Sequence, residues 1–371
     1  MLCAFLLLSQ AFAQTSSDAP SYWPDLSDEI LSALVSERKE EIATIKEAWR
    51  PFIATMASDH VWQERTEEFN RCLSEGTIVS SSEGDGGAYF LYDNNHRPRY
   101  VIKPFDEDGL CVNNRKGKAS PYRDDTHRVR DAIPLYESFQ RELAASHTAS
   151  LLHIELATPW TIVAIVASDV FFDVGIGNPD KEKLCSVQPF ISETIGIGEA
   201  VHEWFEAGFE TLGIPLPLDQ DSFEQVNLLL WATNDCDGHG SNFLLTLHSL
   251  EPTYRLIKID NGLCFPTRNT YLLNYLAYLP NAKVPLSMAI REKIENISTQ
   301  SILSMLAALG LHDSLDATAS RLRVLKALAL RPEMTIEEMN HRMELLALPK
   351  GEQLALMQCT REELEQLEFE N

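Results

Sequence analysis

Three oxygen-bearing side chains, Asp237, Asn242 and Asp260, follow one another at intervals of five and eighteen residues. The first two belong to a glycine-loosened loop, Asp237-Gly238-His239-Gly240-Ser241-Asn242, between the helical LLLWAT and the strand-like NFLL. The third ends the alternating apolar pattern of IKIDNGLCFP, residues 257–266. A hairpin joining NFLLTL to YRLIKID would bring all three to one mouth. Hard oxygen ligands in that arrangement suit Mg²⁺ and a phosphoryl group. The same residues are also ordinary turn formers, as an Asx-type turn in DGHGSN and a strand-ending turn at Asp260, and neither half alone separates the two.

A second constellation lies about 140 residues upstream. Gly84-Asp85-Gly86-Gly87 opens one strand-like run, and Lys103 ends the next. Glycines let backbone N–H groups approach phosphates, and a lysine across the hairpin completes an anion cradle. Either feature alone is weak, since Lys103 would serve equally as a surface strand residue. Together with the downstream oxygens they divide the work as a phosphotransfer site requires. Glu142, in ESFQRELAA, would hold Lys103 if it faced inward; on periodicity alone it is a solvated helix charge.

The elements that must position these residues follow from periodicity. Ile30, Leu31, Leu34, Ile42, Ile45 and Trp49 recur at mostly helical spacings behind a Ser27-Asp28-Glu29 start, and a second helix is expected over 58–73. From Gly76 the pattern turns to short strands, TIVSS, AYFLY and RYVIK, the last two joined by the turn-forming DNNHRP. A helix is expected over 132–152, strands in TPWTIVAIV and KLCSVQPFI, helices over 199–212 and 222–233, and helix throughout beyond Pro285. The domain boundaries expected are 14–75 for a helical extension, 76–192 for a β-rich lobe with an insert at 111–130, and 193–371 for a helical lobe. That last lobe carries the loop 235–242 and the strand segment 254–266.

The formal charge is −24 over 371 residues, with a hydrophobic fraction of 44%. The apolar share is enough for a large core, and the surplus of carboxylates argues against bulk nucleic-acid binding. The start MLCAFLLLSQAFAQ has a short apolar run and Ala11-Phe12-Ala13, the pattern of a signal sequence cut after residue 13. No Lys or Arg precedes the run, and an apolar N-terminal strand or helix in a cytoplasmic chain is the alternative. The run is too short to span a bilayer, so no transmembrane helix is expected in the mature chain. Seven cysteines are scattered without CxxC or metal-site spacing, which points to free thiols, several buried in strands.

Taken together these segments resemble the phosphatidylinositol 3-/4-kinase superfamily, and most closely phosphatidylinositol 4-kinase type II, in patches over 76–297. GDGGAYFLYD resembles the nucleotide loop, VIKPFDED the lysine strand with its acidic sequel, and ELAA the helix bearing the partner glutamate. SVQPFI resembles the strand into the adenine hinge, DGHGSNFLL the catalytic loop, IDNGLCFP the metal-binding strand end, and LPNAKVPLS a segment of the type II enzymes. The resemblance implies an α+β, two-lobed kinase-like fold whose mostly helical second lobe carries a catalytic β-hairpin.

It further implies ATP and Mg²⁺ (or Mn²⁺), with Lys103 on the α- and β-phosphates and Glu142 orienting it. Asp237 would stand near the attacking hydroxyl, with His239 assisting transfer or merely packing the loop. Asn242 and Asp260 would hold the metal, and Gln188, Phe190 and Ile191 would line the adenine pocket. The acceptor would be a phosphoinositide hydroxyl. A protein kinase on the same scaffold, as a secreted bacterial effector, and a catalytically dead binding module are the alternatives.

The chain departs from that family in three places. Asp85, Gly86 and Ala88 stand where the nucleotide loop carries serines, and Gly238 replaces the catalytic-loop arginine. Only Cys111 remains where type II enzymes carry a palmitoylated cysteine cluster, followed by Arg115, Lys116, Lys118, Arg123, Arg128 and Arg130. That basic stretch would meet an anionic membrane face at about 1 kcal/mol per charge, or form a flexible solvated insert diluted by Asp124, Asp125 and Asp131.

Overall fold

The computed structural model describes residues 28–56, 60–82, 84, 86–109, 111, 113–114, 132–171, 181–206, 216–247 and 253–347. The expected signal sequence, Asp85, the basic stretch 115–130 and the acidic end from 348 fall outside the described residues.

Two sheets and the helices around them make an α+β, two-lobed chain, as expected from the sequence. The first sheet holds β1 (Thr77–Ser80), β2 (Tyr89–Tyr92), β3 (Pro98–Pro104), β4 (Ile162–Ala167) and β5 (Glu182–Pro189). Its order is β1-β2-β3-β5-β4 and every neighbouring pair is antiparallel. Alternation along β3 buries Tyr100, Ile102 and Pro104 on one face. Because side chains change face at every residue, Val101 and Lys103 point to the other face.

Phe69 of α2 (His60–Glu75) caps the buried face, its ring 5.3 Å from that of Tyr100 at 83°. The N-terminal helix α1 (Asp28–Met56) reaches the site helix α3 (Ser138–Leu151) through Trp49, whose ring stands edge-on to Phe139 at 4.8 Å. The helix expected over 132–152 starts later because Ala132 and Tyr136 adopt positive φ of 73° and 65°, which breaks helical continuity. Once started, α3 is buried nearly all round, including Arg141 and Glu142.

The second sheet is β6-β7-β8, formed by Thr194–Gly196, Phe243–Leu247 and Tyr254–Lys258. The β7–β8 hairpin is the expected one, while β6 carries too few residues to show a period. Around it lie α4 (Ile197–Glu206), α5 (Gln220–Thr233), α6 (Met288–Glu295), α7 (Thr299–Ala308), α8 (Leu315–Ala329) and α9 (Ile336–Glu344). Side-chain caps from Asp219, Ser287, Ser298 and Thr335 satisfy first-turn N–H groups of α5, α6, α7 and α9. Apolar residues of these helices form one core with α3, and the first sheet keeps a smaller core of its own under α2.

Candidate active site

Lys103 is where the two lobes meet chemically. From the open face of β3 its Nζ lies 2.6 Å from Glu142 Oε1 of α3 and 2.8 Å from Asp260 Oδ1 beyond β8. Glu142 is nearly inaccessible, and its second oxygen accepts from Gln188 Nε2 at 2.7 Å. Burial pulls the Lys103 ammonium pKa down, but the two carboxylates outweigh it and the net shift is upward. The same contact holds Asp260 below the usual carboxylate range, against the opposing effect of desolvation.

The catalytic-type loop is built by its own backbone. His239 N–H donates to Asp237 O at 2.9 Å, Asn242 N–H to His239 O at 2.9 Å, and Ile259 N–H to Asn242 O at 2.9 Å. Asn242 Nδ2 donates to Asp237 O at 2.8 Å and to Asp237 Oδ2 at 3.1 Å, so Asp237 and Asn242 are held together. With its N–H groups so committed, Asn242 turns its amide oxygen the other way, as an oxygen ligand would require. His239 Nε2 stands 3.5 Å from Asp237 Oδ2 with its ring half exposed. Among the described residues no three His, Cys, Asp or Glu side chains form a metal cluster. Asn242 and Asp260 supply oxygens of the kind a divalent cation takes when it keeps several waters and phosphate oxygens alongside one or two carboxylates.

Lys258, which the sequence reading passed over, joins the two halves of this mouth. It is fully buried and ion-pairs Asp235 Oδ2 at 3.0 Å while donating to the carbonyls of Ile259 and Asp260, each at 2.8 Å. Asp235 Oδ1 accepts the Asp237 N–H at 2.7 Å. Asp260 lies two residues past the end of β8 with φ of 59°, a left-handed turn that swings its carboxylate back to Lys103. Arg141 is the other missed clamp: its guanidinium holds the carbonyls of Cys264 and Phe265 and pairs with Glu137, fixing α3 to the segment behind Asp260. For Lys258 the available signal was a basic residue between two isoleucines, Ile257 and Ile259; the sequence around Arg141 gave none.

Gly238 has a steric origin. A Cβ there would stand 2.1 Å from the Leu273 carbonyl oxygen, and Gly238 O accepts the Tyr275 N–H at 2.9 Å. No side chain, arginine included, fits without moving that strand-like contact. Gly238→Ala is expected to lower stability by about 1–3 kcal/mol, as overpacking of a close backbone approach does, seen as a lower urea midpoint at unchanged slope.

Gly86 and Gly87 lie over the acidic stretch after β3, while a Cβ on Gly84, at φ of +73°, would meet nothing within 4 Å. Gly87 N–H donates to Glu107 O at 2.8 Å, and a Cβ on Gly87 would meet Glu107 at 2.5 Å. The three acids of that stretch divide. Asp106 and Glu107 are buried on Lys183, at 3.0 and 2.8 Å, with Tyr89 OH donating to Glu107 at 2.5 Å. Asp108 instead faces the site: a Cβ on Gly86 would stand 3.0 Å from its Oδ1, and it is hydrogen-bonded to Ser138 at the start of α3.

Burial, reinforced by the Asp260 and Glu142 charges, pushes Asp108 up to about 6, against the Ser138 hydrogen bond and the Lys103 charge. A carboxylate raised on folding binds its proton more tightly in the native chain, so stability falls as pH rises from its unfolded value to about 6. Asp108→Asn keeps an acceptor for Ser138 and is expected to gain roughly 1–2 kcal/mol at pH 7.5, discounted for partial exposure, and nothing near pH 4. Urea denaturation at the two pH values checks it.

The hinge residues separate. Gln188 is buried with its amide given to Glu142 and, at 2.9 Å, to Thr161 Oγ1, so its side chain steadies Glu142. Phe190 N–H donates to Arg99 O at 2.8 Å and its half-buried ring meets Phe90 edge-on at 5.6 Å. Ile191 is half-buried in the link between β5 and β6, the point at which the chain crosses from one sheet to the other. Cys72, Cys111, Cys185, Cys236 and Cys264 carry free thiols, the last four buried. Among the described residues no helix is long and apolar enough to cross a membrane.

Among curated proteins the chain is similar to phosphatidylinositol 4-kinase gamma 3 of Arabidopsis thaliana, at 27% identity over 241 residues, covering 62% of this chain and 39% of that protein. Phosphatidylinositol 4-kinase gamma 1 of the same plant is 26% identical, covering 79% of this chain and 51% of its own. The chain is kinase-like. It spans roughly two fifths to half the length of these relatives. No protein-family model matches this kinase-like chain. Of solved structures, the Golgi casein kinase with Mn/ADP bound is similar at 13% identity and a TM-score of 0.43, covering 92% of this chain and 94% of that one. The Helicobacter pylori proinflammatory kinase CtkA is similar at 12% identity and 0.39, covering 73% and 96%.

Proposed function

We propose that this chain is an ATP-dependent phosphotransferase of the phosphatidylinositol 3-/4-kinase kind, with type II as its nearest pattern, acting on a phosphoinositide hydroxyl. The observation that carries the proposal is Lys103, held by Glu142 at 2.6 Å and Asp260 at 2.8 Å. An ammonium fixed there meets the α- and β-phosphates of ATP. Asp237, tethered by Asn242, receives the proton of the attacking hydroxyl, and His239 stands where it can relay that proton. Asn242 and Asp260 would hold Mg²⁺ or Mn²⁺, which when bound offsets the charge on the transferring phosphoryl oxygens.

The names of the plant relatives support the lipid acceptor. Gly238 favours a second acceptor, a protein hydroxyl: with Leu273 O against it, the loop has no arginine to offer an anionic head group. Purified chain with labelled ATP and either phosphatidylinositol vesicles or a protein lysate separates the two. Label in lipid is expected; label in protein bands alone sinks the lipid acceptor, and ATP binding without any transfer leaves a binding module. The basic stretch 115–130 would then anchor the chain on an anionic membrane, and export would deliver it as an effector to a compartment where ATP and phosphoinositides coexist.

A further inference from the structure

The residues just past Lys103 form a seat for the glycine loop. Glu107 O accepts the Gly87 N–H at 2.8 Å, and a Cβ on Gly87 would stand 2.5 Å from both the Cβ and the Oε2 of Glu107. Gly86 is nearly as close to its neighbour, a Cβ there falling 3.0 Å from Asp108 Oδ1. Two successive glycines are thus pressed onto two successive acids. Gly84 at the other end has open space around its Cβ position, so the loop has one seated end and one free end. The seat lies only four residues beyond Lys103 on the chain that leaves β3.

Glu107 is itself fixed from three sides. Its carboxylate takes Lys183 Nζ of β5 at 2.8 Å and the Tyr89 hydroxyl of β2 at 2.5 Å. Asn114 Nδ2 donates to the carbonyls of Glu107 and Asp108, each at 3.0 Å. Asp106 shares Lys183 at 3.0 Å and is held by Asn113 Nδ2 at 2.6 Å. Glu107 and Lys183 are both buried, and so is Asp106. Burying an ion is costly, and Asp106 by itself would neutralise Lys183. The second carboxylate is therefore explained by what else it touches, which is Gly87.

We infer that Glu107, locked by Lys183 and Tyr89, is a positioning residue for the nucleotide loop, setting where Gly86 and Gly87 stand relative to Lys103. The inference rests on the phosphotransferase reading for the identity of the ligand, a nucleoside triphosphate, and on the contacts above for the rest. With its N–H given to Glu107, Gly87 serves by its place and not as a phosphate donor. A loop held in place before the ligand arrives loses less freedom on binding. The effect falls on the phosphates, at the Lys103 end of the nucleotide, and not on the base.

The test compares ATP and adenosine binding to the full chain, with Mg²⁺ present, by displacement of a fluorescent ATP analogue. Gly87→Ala drives a Cβ into Glu107, whereas Glu107→Ala removes the seat and leaves Lys183 paired with Asp106. Each is expected to raise the ATP Kd by about tenfold, with adenosine affinity unchanged. Glu107→Gln keeps the shape and an acceptor for Tyr89, and should stay within about threefold of wild type. Because both alanine changes act on one contact, the double variant is expected to be no weaker than about either single one. Should Glu107→Ala fold poorly, Gly87→Ala carries the comparison of ATP with adenosine. Unchanged ATP affinity in the alanine variants, equal losses for ATP and adenosine, or losses that multiply in the double variant overturn the positioning role alone. A wild type that binds no ATP overturns the phosphotransferase reading, and this inference with it.

Discussion

Lys103→Met is expected to abolish phosphotransfer, by about 10³-fold or more, and to cost about 3–5 kcal/mol of stability. The two losses have one cause. Lys103 is the cation shared by Glu142 and Asp260, and without it Glu142 is a buried carboxylate with only the Gln188 amide on it. The pH dependence follows from the same contacts. Asp260 is held below its ordinary value, so its share of stability is present above the unfolded carboxylate pKa and is lost as pH falls through the folded one. Lys103 is raised, so its share is fully present below the unfolded lysine value and is lost as pH rises through the folded one. The gap between wild type and Lys103→Met is thus widest between about pH 5 and 10. Urea denaturation across that range, beside turnover of labelled ATP, measures both; equal stability of the two chains at pH 7 would contradict the shared-cation account.

Lys258→Met carries the second large effect, and its target is the mouth of the site instead of the nucleotide cradle. Lys258 is fully buried, and three groups lose their partner at once: Asp235 Oδ2 and the carbonyls of Ile259 and Asp260. Burial already pushes Asp235 upward, with Lys258 the main opposing influence, so the orphaned carboxyl would be driven to take a proton. A stability loss of about 3–5 kcal/mol is expected, as for breaking a buried pair from one side. Because Asp235 also holds the Asp237 N–H, activity should fall with it. Adding Asp235→Asn to Lys258→Met should recover part of the stability, and a double-mutant cycle reads the coupling directly. Strictly additive losses would show that the pair does not act as a unit.

Much of this site was legible as residue chemistry. Asp237, Asn242 and Asp260 stood out as candidate oxygen ligands or turn formers on either side of a hairpin, and β7 and β8 do form that hairpin. Lys103 was read as the end of a strand, and in the structure the period of two puts it on the face opposite buried Tyr100, Ile102 and Pro104. Glu142 was different: helical periodicity made it one more surface charge. Only the packing of α3 against both lobes buries it and aims it at Lys103.

The residues that sequence reasoning missed share a feature. Lys258, Arg141 and Lys183 are buried cations that each hold a group far along the chain, 23, 124 and 76 residues away, at Asp235, Phe265 and Glu107. No local period connects such pairs. The order β1-β2-β3-β5-β4 was hidden for the same reason, since β5 inserts between β3 and β4 across some eighty residues of chain. Gly238 looked like a lost arginine, whereas the Leu273 carbonyl beside it explains the glycine sterically.

By itself, then, the sequence determined which chemical groups this protein owns and on which face of a strand or side of a loop each must fall, because those follow from backbone periods of two and 3.6 residues. Tertiary structure alone decided which distant charges neutralise one another. Burying an ion is tolerable only beside its partner, and that partner is chosen by packing, not by spacing along the chain.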